Sequence, residues 1–216
     1  MFKKVSLINI KAQLVEFNSD LNPDDFMDLL KMSQLYQNIS LSTLEKNYEK
    51  LGEYEQLDPM DKATLLDQVG EEADNVRRIS SIGEELAIIG LYKTIEASIK
   101  KCAGLSGLFS DREVEKMSYI NELEDILKKQ KIMIDKIANY SEFNELRLIN
   151  NCLKHAGEIN EKLFELNPSL GGIGDKIKDS SDHFRRLINP SFNFLRKLGL
   201  KISIKMKENQ ESTSTT

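Results

Sequence analysis

The 216-residue chain is long enough for one well-packed domain, or a core with an appended hairpin, and too short for three. Charged residues make up 30% and the hydrophobic set 40%, with 11 Gly, 4 Pro and no Trp, which excludes a collagen-like or disordered chain and fits a soluble all-α protein. A formal net charge of −5 excludes a field over the whole molecule that would hold nucleic acid non-specifically, so any bound anion must be held locally.

The elements follow in chain order. Ile10, Leu14, Phe17 and Leu21 fall at steps of four, three and four, which predicts an amphipathic helix over residues 6–20, before Asn22-Pro23. A longer helix runs from Asp24 to about Leu57 on Phe26, Leu29, Leu30, Leu35, Ile39, Leu44, Tyr48 and Leu51, with Ser40, Ser42 or Gly52 as points of interruption. Asp58-Pro59 is a strong helix start, because the aspartate caps free amides and the proline lacks only an N–H that the first turn leaves unused. The pattern then continues to about Cys102, and Glu84–Lys101 is apolar over most of its circumference, the mark of a central buried helix.

After a break at Ala-Gly-Leu-Ser-Gly, Ser110-Asp-Arg-Glu113 forms a capping box that opens a helix to about Ala138. Ser141 can cap the next helix, which continues toward Leu166 with Ala156-Gly157 as a point of division. Residues 167–174 are a loop whose glycines lack the Lys-Ser/Thr of a phosphate cradle. A last helix spans about Ser181 to Leu198, interrupted or kinked near Pro190, residues 201–207 alternate as a short strand would, and a disordered polar tail follows. The expected organisation is an N-terminal helical segment at 1–57, a bundle at 58–206 and a tail at 207–216, with about five to seven helices in all.

The longest apolar run, residues 86–92, is far short of the roughly 20 residues a membrane helix needs. The N-terminal Met-Phe-Lys-Lys-Val-Ser-Leu has no long apolar segment with a cleavage site, so a cytoplasmic protein with no membrane association is expected. Cys102 and Cys152 read as small buried thiols, and two cysteines with two widely spaced histidines make no metal site. No cofactor is expected.

On the helix that starts near Ser141, Asn144, Arg147, Asn151, Lys154 and His155 share one sector, opposite Leu146, Leu148, Ile149, Cys152 and Leu153. Such a stripe is either a polar face turned to water or a site for an anion. Arg147 has no carboxylate at the neighbouring helical positions, and Lys154 has only Glu158. Two amides, two cations and an imidazole suit a phosphate or phosphodiester. Glu85, Tyr92 and Glu96 share a sector of the apolar helix, and their carboxylates either reach water or find a cation such as Arg147 or Lys154. His183 reads as a surface or capping residue.

The segment Tyr140–Gly157, with Glu-Lys-Leu-Phe-Glu-Leu-Asn-Pro, Asp-His-Phe-Arg-Arg-Leu and Phe-Asn-Phe-Leu-Arg-Lys-Leu after it, resembles a group of uncharacterised bacterial helical proteins related to the HEPN superfamily. The resemblance covers roughly residues 80–200. It implies a HEPN-like helical bundle, a homodimer, and a metal-independent ribonuclease of a toxin–antitoxin or phage-defence system, with RNA as substrate and an antitoxin or other protein as partner. His155 would then be the general base for the 2′-hydroxyl, Arg147 and Lys154 would hold the phosphate, and Asn151 and Asn144 would orient it. The superfamily motif places four to six residues between Arg and His; here seven separate Arg147 from His155, and Leu148 follows the arginine. A second motif, Glu then three residues then Lys-Arg, is approximated by Glu96 with Lys100 and Lys101. The alternatives are a non-catalytic HEPN-like module that binds RNA, a nucleotide or a protein through the same stripe, and a helical scaffold in which the stripe is structural.

Overall fold

The computed structural model describes residues 7–214, and every element named in it is helical. Residues 1–6, including the first residue of the first predicted helix and the N-terminal segment read above, lie outside the described residues, as do 215 and 216 of the predicted tail. The order is α1 (Leu7–Ser19), α2 (Pro23–Glu53), α3 (Pro59–Ser106), α4 (Asp111–Lys116), α5 (Ile120–Lys129), α6 (Tyr140–Lys154), α7 (Glu161–Leu166) and α8 (Ser180–Ser214), with 3-10 turns at Ile134–Lys136 and Pro168–Leu170. Among the described residues no helix is long and apolar enough to cross a membrane.

The chain divides into two compact units. One is Asp24–Ala87, the hairpin of α2 with the first part of α3; the other joins the residues up to Pro23 to those from Ile88 onward. The boundary expected at 57/58 is the turn inside the hairpin. That turn forms as its residues dictate, with the Asp58 carboxylate accepting from Met60 N–H at 2.9 Å and Pro59 as the first helical residue. In the hairpin Ser33 Oγ donates to the Ser80 carbonyl and Ser80 Oγ donates to Gln37, so small and polar side chains hold the two helices together. Of the apolar set predicted for α2 only Leu30 is buried, while Leu29, Leu35, Ile39 and Tyr48 are exposed.

In the larger unit α1 packs along α8. The predicted buried face of α1 is wrong: Ile10, Leu14 and Phe17 are exposed, and Ala12, Val15 and Ser19 are buried. Small residues win because the helices approach closely at Gly199, where an added Cβ would run into the Ser19 side chain. Ser203 Oγ donates to the Glu16 carboxylate beside that contact. Gly199→Ala therefore has to separate α1 from α8. A loss of about 1–3 kcal/mol is expected in urea unfolding followed by circular dichroism, and an unchanged midpoint would mean that Ser19 yields without cost.

Along α3, Ile88, Leu91, Ile95, Ile99 and Cys102 form one buried face, but Leu86 is exposed, so the helix is amphipathic rather than buried around its circumference. Burial pushes the Cys102 thiol up to about 11. The capping box at Ser110 and Glu113 forms as predicted.

The single helix expected from 110 to 138 is instead α4, α5 and a 3-10 turn. Nine residues separate Leu123 from Ile132, which puts them on opposite sides of a straight helix, yet both are buried, as are Ile134 and Ile137. The chain reverses at Lys131, at φ +61°, with Ile132 N–H on the Leu127 carbonyl at 3.0 Å, and all four side chains reach the core.

Residues 201–207 are helical, not a strand. Leu198, Ile202 and Met206, four apart, are buried on α8 while Ile204 is exposed; alternation at period two also repeats at four, and packing on α1 selects the helix. The same helix passes through Pro190 and continues to Ser214, where a disordered tail was expected from 207.

Candidate functional site

The centre of the larger unit is α6. Phe143, Glu145, Leu146, Leu148, Ile149, Asn150 and Cys152 are all buried; besides Ser141 and Glu142 in the first turn and the half-buried Leu153, water reaches the helix along one narrow strip. On that strip stand Asn144, Arg147 and Asn151, half-buried, and Lys154 and His155, exposed. The helical period thus brings together the five residues that the sequence placed on one face. The helix begins not with a Ser141 cap but at Asn139, at φ +66°, with no side-chain cap bond. Asn139 tolerates that backbone, and its Oδ1 accepts from Asn193 of α8 at 2.6 Å. It ends at Lys154, with Gly157 N–H on the Cys152 carbonyl at 2.8 Å and Gly157 at φ +68°.

Arg147 Nε and Nη2 both donate to Asn144 Oδ1, at 3.0 and 2.8 Å. Among the described residues no carboxylate lies within ion-pair distance of it. Glu96 takes Lys93 and Lys100 of its own helix, each at 3.6 Å, which is also the structural content of the Glu96–Lys100–Lys101 pattern. Glu85 belongs to the Asp24–Ala87 unit. Tyr92 is buried, and burial together with the Glu96 carboxylate pushes its phenol up to about 12, opposed by the charge of Arg147.

Arg147 and His155 are not brought to one point. They stand eight positions apart, about 12 Å along the axis, with His155 just past the last helical residue. The guanidinium is turned to Asn144, a turn toward the N-terminus and away from the histidine.

A second polar cluster lies across α6, and sequence reasoning missed it. Glu145 is buried and receives Arg186 through two bonds, Nη1 to Oε2 at 2.9 Å and Nη2 to Oε1 at 2.6 Å, with Asn167 Nδ2 on Oε1 at 2.7 Å. Burial alone would raise its carboxyl; the bonds from Arg186 and Asn167 outweigh this and hold it below the usual range. His183, in the first turn of α8, is half-buried, and burial, then the Arg186 charge, hold its imidazole low. The signal was present in the sequence: Glu145 stands three, four and seven residues before Leu148, Ile149 and Cys152, an acid in the apolar register.

Tyr140 donates to Glu124 Oε1 at 2.5 Å beside a cavity also lined by Asp125, Lys128 and Asp135. Burial, then Glu124, raises its phenol. Among the described residues no group of histidine, cysteine or acidic side chains could hold a metal, and both cysteines are free and buried. No family model, no curated protein and no solved structure matches the chain. Fold and site together define an all-helical bundle whose central helix exposes a strip of amides and cations.

Proposed function

We propose that the protein is an RNA-binding helical module that holds phosphates along the α6 strip without cleaving them. The observation that carries this reading is the strip itself: beyond the first turn, where Ser141 and Glu142 also reach water, α6 turns Asn144, Arg147, Asn151 and Lys154 along one line, with no carboxylate on Arg147. Two of the guanidinium's N–H groups are spent on Asn144, which fixes its plane, and others remain for a phosphate oxygen. The resemblance to HEPN proteins supports RNA as the source of that phosphate. The net charge of −5 keeps the affinity local and modest.

The experiment is anisotropy of a labelled single strand of about 20 nucleotides, titrated between roughly 50 and 200 mM salt. Arg147→Ala with Lys154→Ala is expected to weaken binding and to reduce the slope of log Kd against log salt by about 1.4, at about 0.7 for each phosphate deprived of its cation. Folding should survive, because Arg147 covers no buried carboxylate. Equal affinity and slope in the variant would remove the strip from RNA binding, and a large loss of stability would favour a structural scaffold.

A second reading, cleavage with His155 as general base and Arg147 and Lys154 on the phosphate, is favoured by the exposure of His155 at the end of the strip. It carries the toxin-type or defence role and the antitoxin partner with it. Incubation of the same RNA in EDTA separates the two: cyclic phosphate ends made by the wild type and not by His155→Ala would establish the nuclease, and intact RNA with retained binding would establish the module.

A further inference from the structure

The Asp24–Ala87 hairpin buries almost nothing of its own: Leu30, Val76, Ser80 and Ala87 are its buried residues. Its inner seam is made of Ser33, Gln37, Ser80 and Gly83, where an added Cβ would lie 2.6 Å from Ser33 Oγ. Leu30 and Val76 are buried and Leu41, Leu44 and Val69 half-buried, but other large apolar residues stand well exposed. Leu29, Met32, Tyr36 and Ile39 on α2 and Ile79, Ile82 and Leu86 on α3 are between 42% and 68% exposed.

These residues are not scattered. On each helix they follow the three-four spacing of a heptad seam. With Ser33 set against Ser80 in an antiparallel pair, about 100° per residue turns both seams to the same side of the hairpin and brings residues 32 and 82 to the same level. The hairpin therefore presents one continuous apolar face made by two helices.

We propose that this face pairs with the same face of a second copy of the chain, closing a four-helix bundle about a two-fold axis that runs along the hairpin. Two arguments select a second copy. The first is area: half-exposed side chains of this size leave on the order of 100 Å² each, so the seven offer about 700 Å² per copy, close to the ~800 Å² per partner of a stable interface. The second is charge. Carried on at the same spacing toward the hairpin tip, the α2 seam reaches Lys46 and Lys50, and the α3 seam reaches Glu72 and Asp61, all four exposed and without an ion pair within the chain among the described residues. That axis sets α2 of one copy antiparallel to α3 of the other; with residues 32 and 82 level, Lys46 falls about 6 Å along the axis from Glu72 and Lys50 about 4.5 Å from Asp61 across the interface, each within the reach of a lysine side chain. An apolar centre with opposite charges meeting at one end fits the face to itself.

Sedimentation equilibrium of the full chain at tens of micromolar tests this. The wild type is expected at twice the 24.7 kDa chain mass, and Ile39→Glu with Ile82→Glu at the single mass with its helical circular dichroism retained. Lys46→Glu should weaken the dimer at low salt, and adding Glu72→Lys in the same chain should restore it. Phe17→Glu, on the exposed side of α1, should leave the mass at two chains. A monomeric wild type, a dimer indifferent to the hairpin glutamates, or a dimer dissociated by Phe17→Glu would each overturn the proposal.

Discussion

Phe143→Ala is expected to lower stability by about 4 kcal/mol, the largest effect of any single substitution proposed for this protein. Phe143 is buried at the meeting of three helices, stacked on Phe194 of α8 with ring centroids 4.3 Å apart and planes at 12°, and on Tyr92 of α3 at 6.1 Å. Truncation removes a ring and leaves a cavity walled by other rings, which are poor at collapsing into it. Tyr140, with its ring 6.4 Å away, is kept from swinging into the space because its hydroxyl is tied to Glu124. Phe143→Leu, which keeps most of the volume, should cost about 1–2 kcal/mol. Urea midpoints followed by circular dichroism decide it. A loss under about 1 kcal/mol for the alanine would mean that α3, α6 and α8 are held together by something other than this stack.

Phe143 also bears on the strip, because it lies one turn before Arg147 on α6 and fixes the rotation of the helix about its axis. The strip is exposed only because the apolar sectors of α6 are committed to the core. A polar face was legible in the sequence for that reason: helical periodicity is a local property, and the five strip residues obey it whatever surrounds them. The helix starts at Asp58-Pro59 and at Ser110-Glu113 were legible on the same ground, since a cap needs only its own few residues.

What could not be read depends on partners distant in sequence. Nothing in α1 says that Ala12, Val15 and Ser19 should be buried in preference to Leu14 and Phe17; Gly199, far along the chain, decides it. The breaks at 117–119 and 130–133 carry no proline or glycine, and they form because Ile132, Ile134 and Ile137 are worth more in the core than a few helical bonds. The misread strand at 201–207 has the same origin, since only the presence of α1 distinguishes the two periods. Glu145 is a different case. Its apolar register was visible, and what was missing was Arg186, 41 residues away.

That pair yields the other large effect. Arg186→Ala is expected to cost about 3 kcal/mol near neutral pH, the low end for breaking a buried ion pair, because the guanidinium is half exposed and part of its charge is already screened by water. The loss comes from Glu145, whose carboxylate stays buried with Asn167 as its remaining donor. The reverse change, Glu145→Ala, leaves an arginine that water can reach and should cost less, about 1–2 kcal/mol. The pH dependence separates this account from simple loss of packing. In the wild type the Glu145 carboxyl is held below its unfolded value of about 4.3, so its contribution is fully present above that pH and is lost as pH falls through the lower, folded value. Without Arg186, burial raises the folded value above the unfolded one, the sign reverses, and protonation relieves the buried charge. The gap between wild type and Arg186→Ala should therefore be widest near neutral pH and shrink as the pH falls toward about 4. A gap of equal size at both ends would assign the loss to the arginine's packing and leave Glu145 neutral in the folded protein.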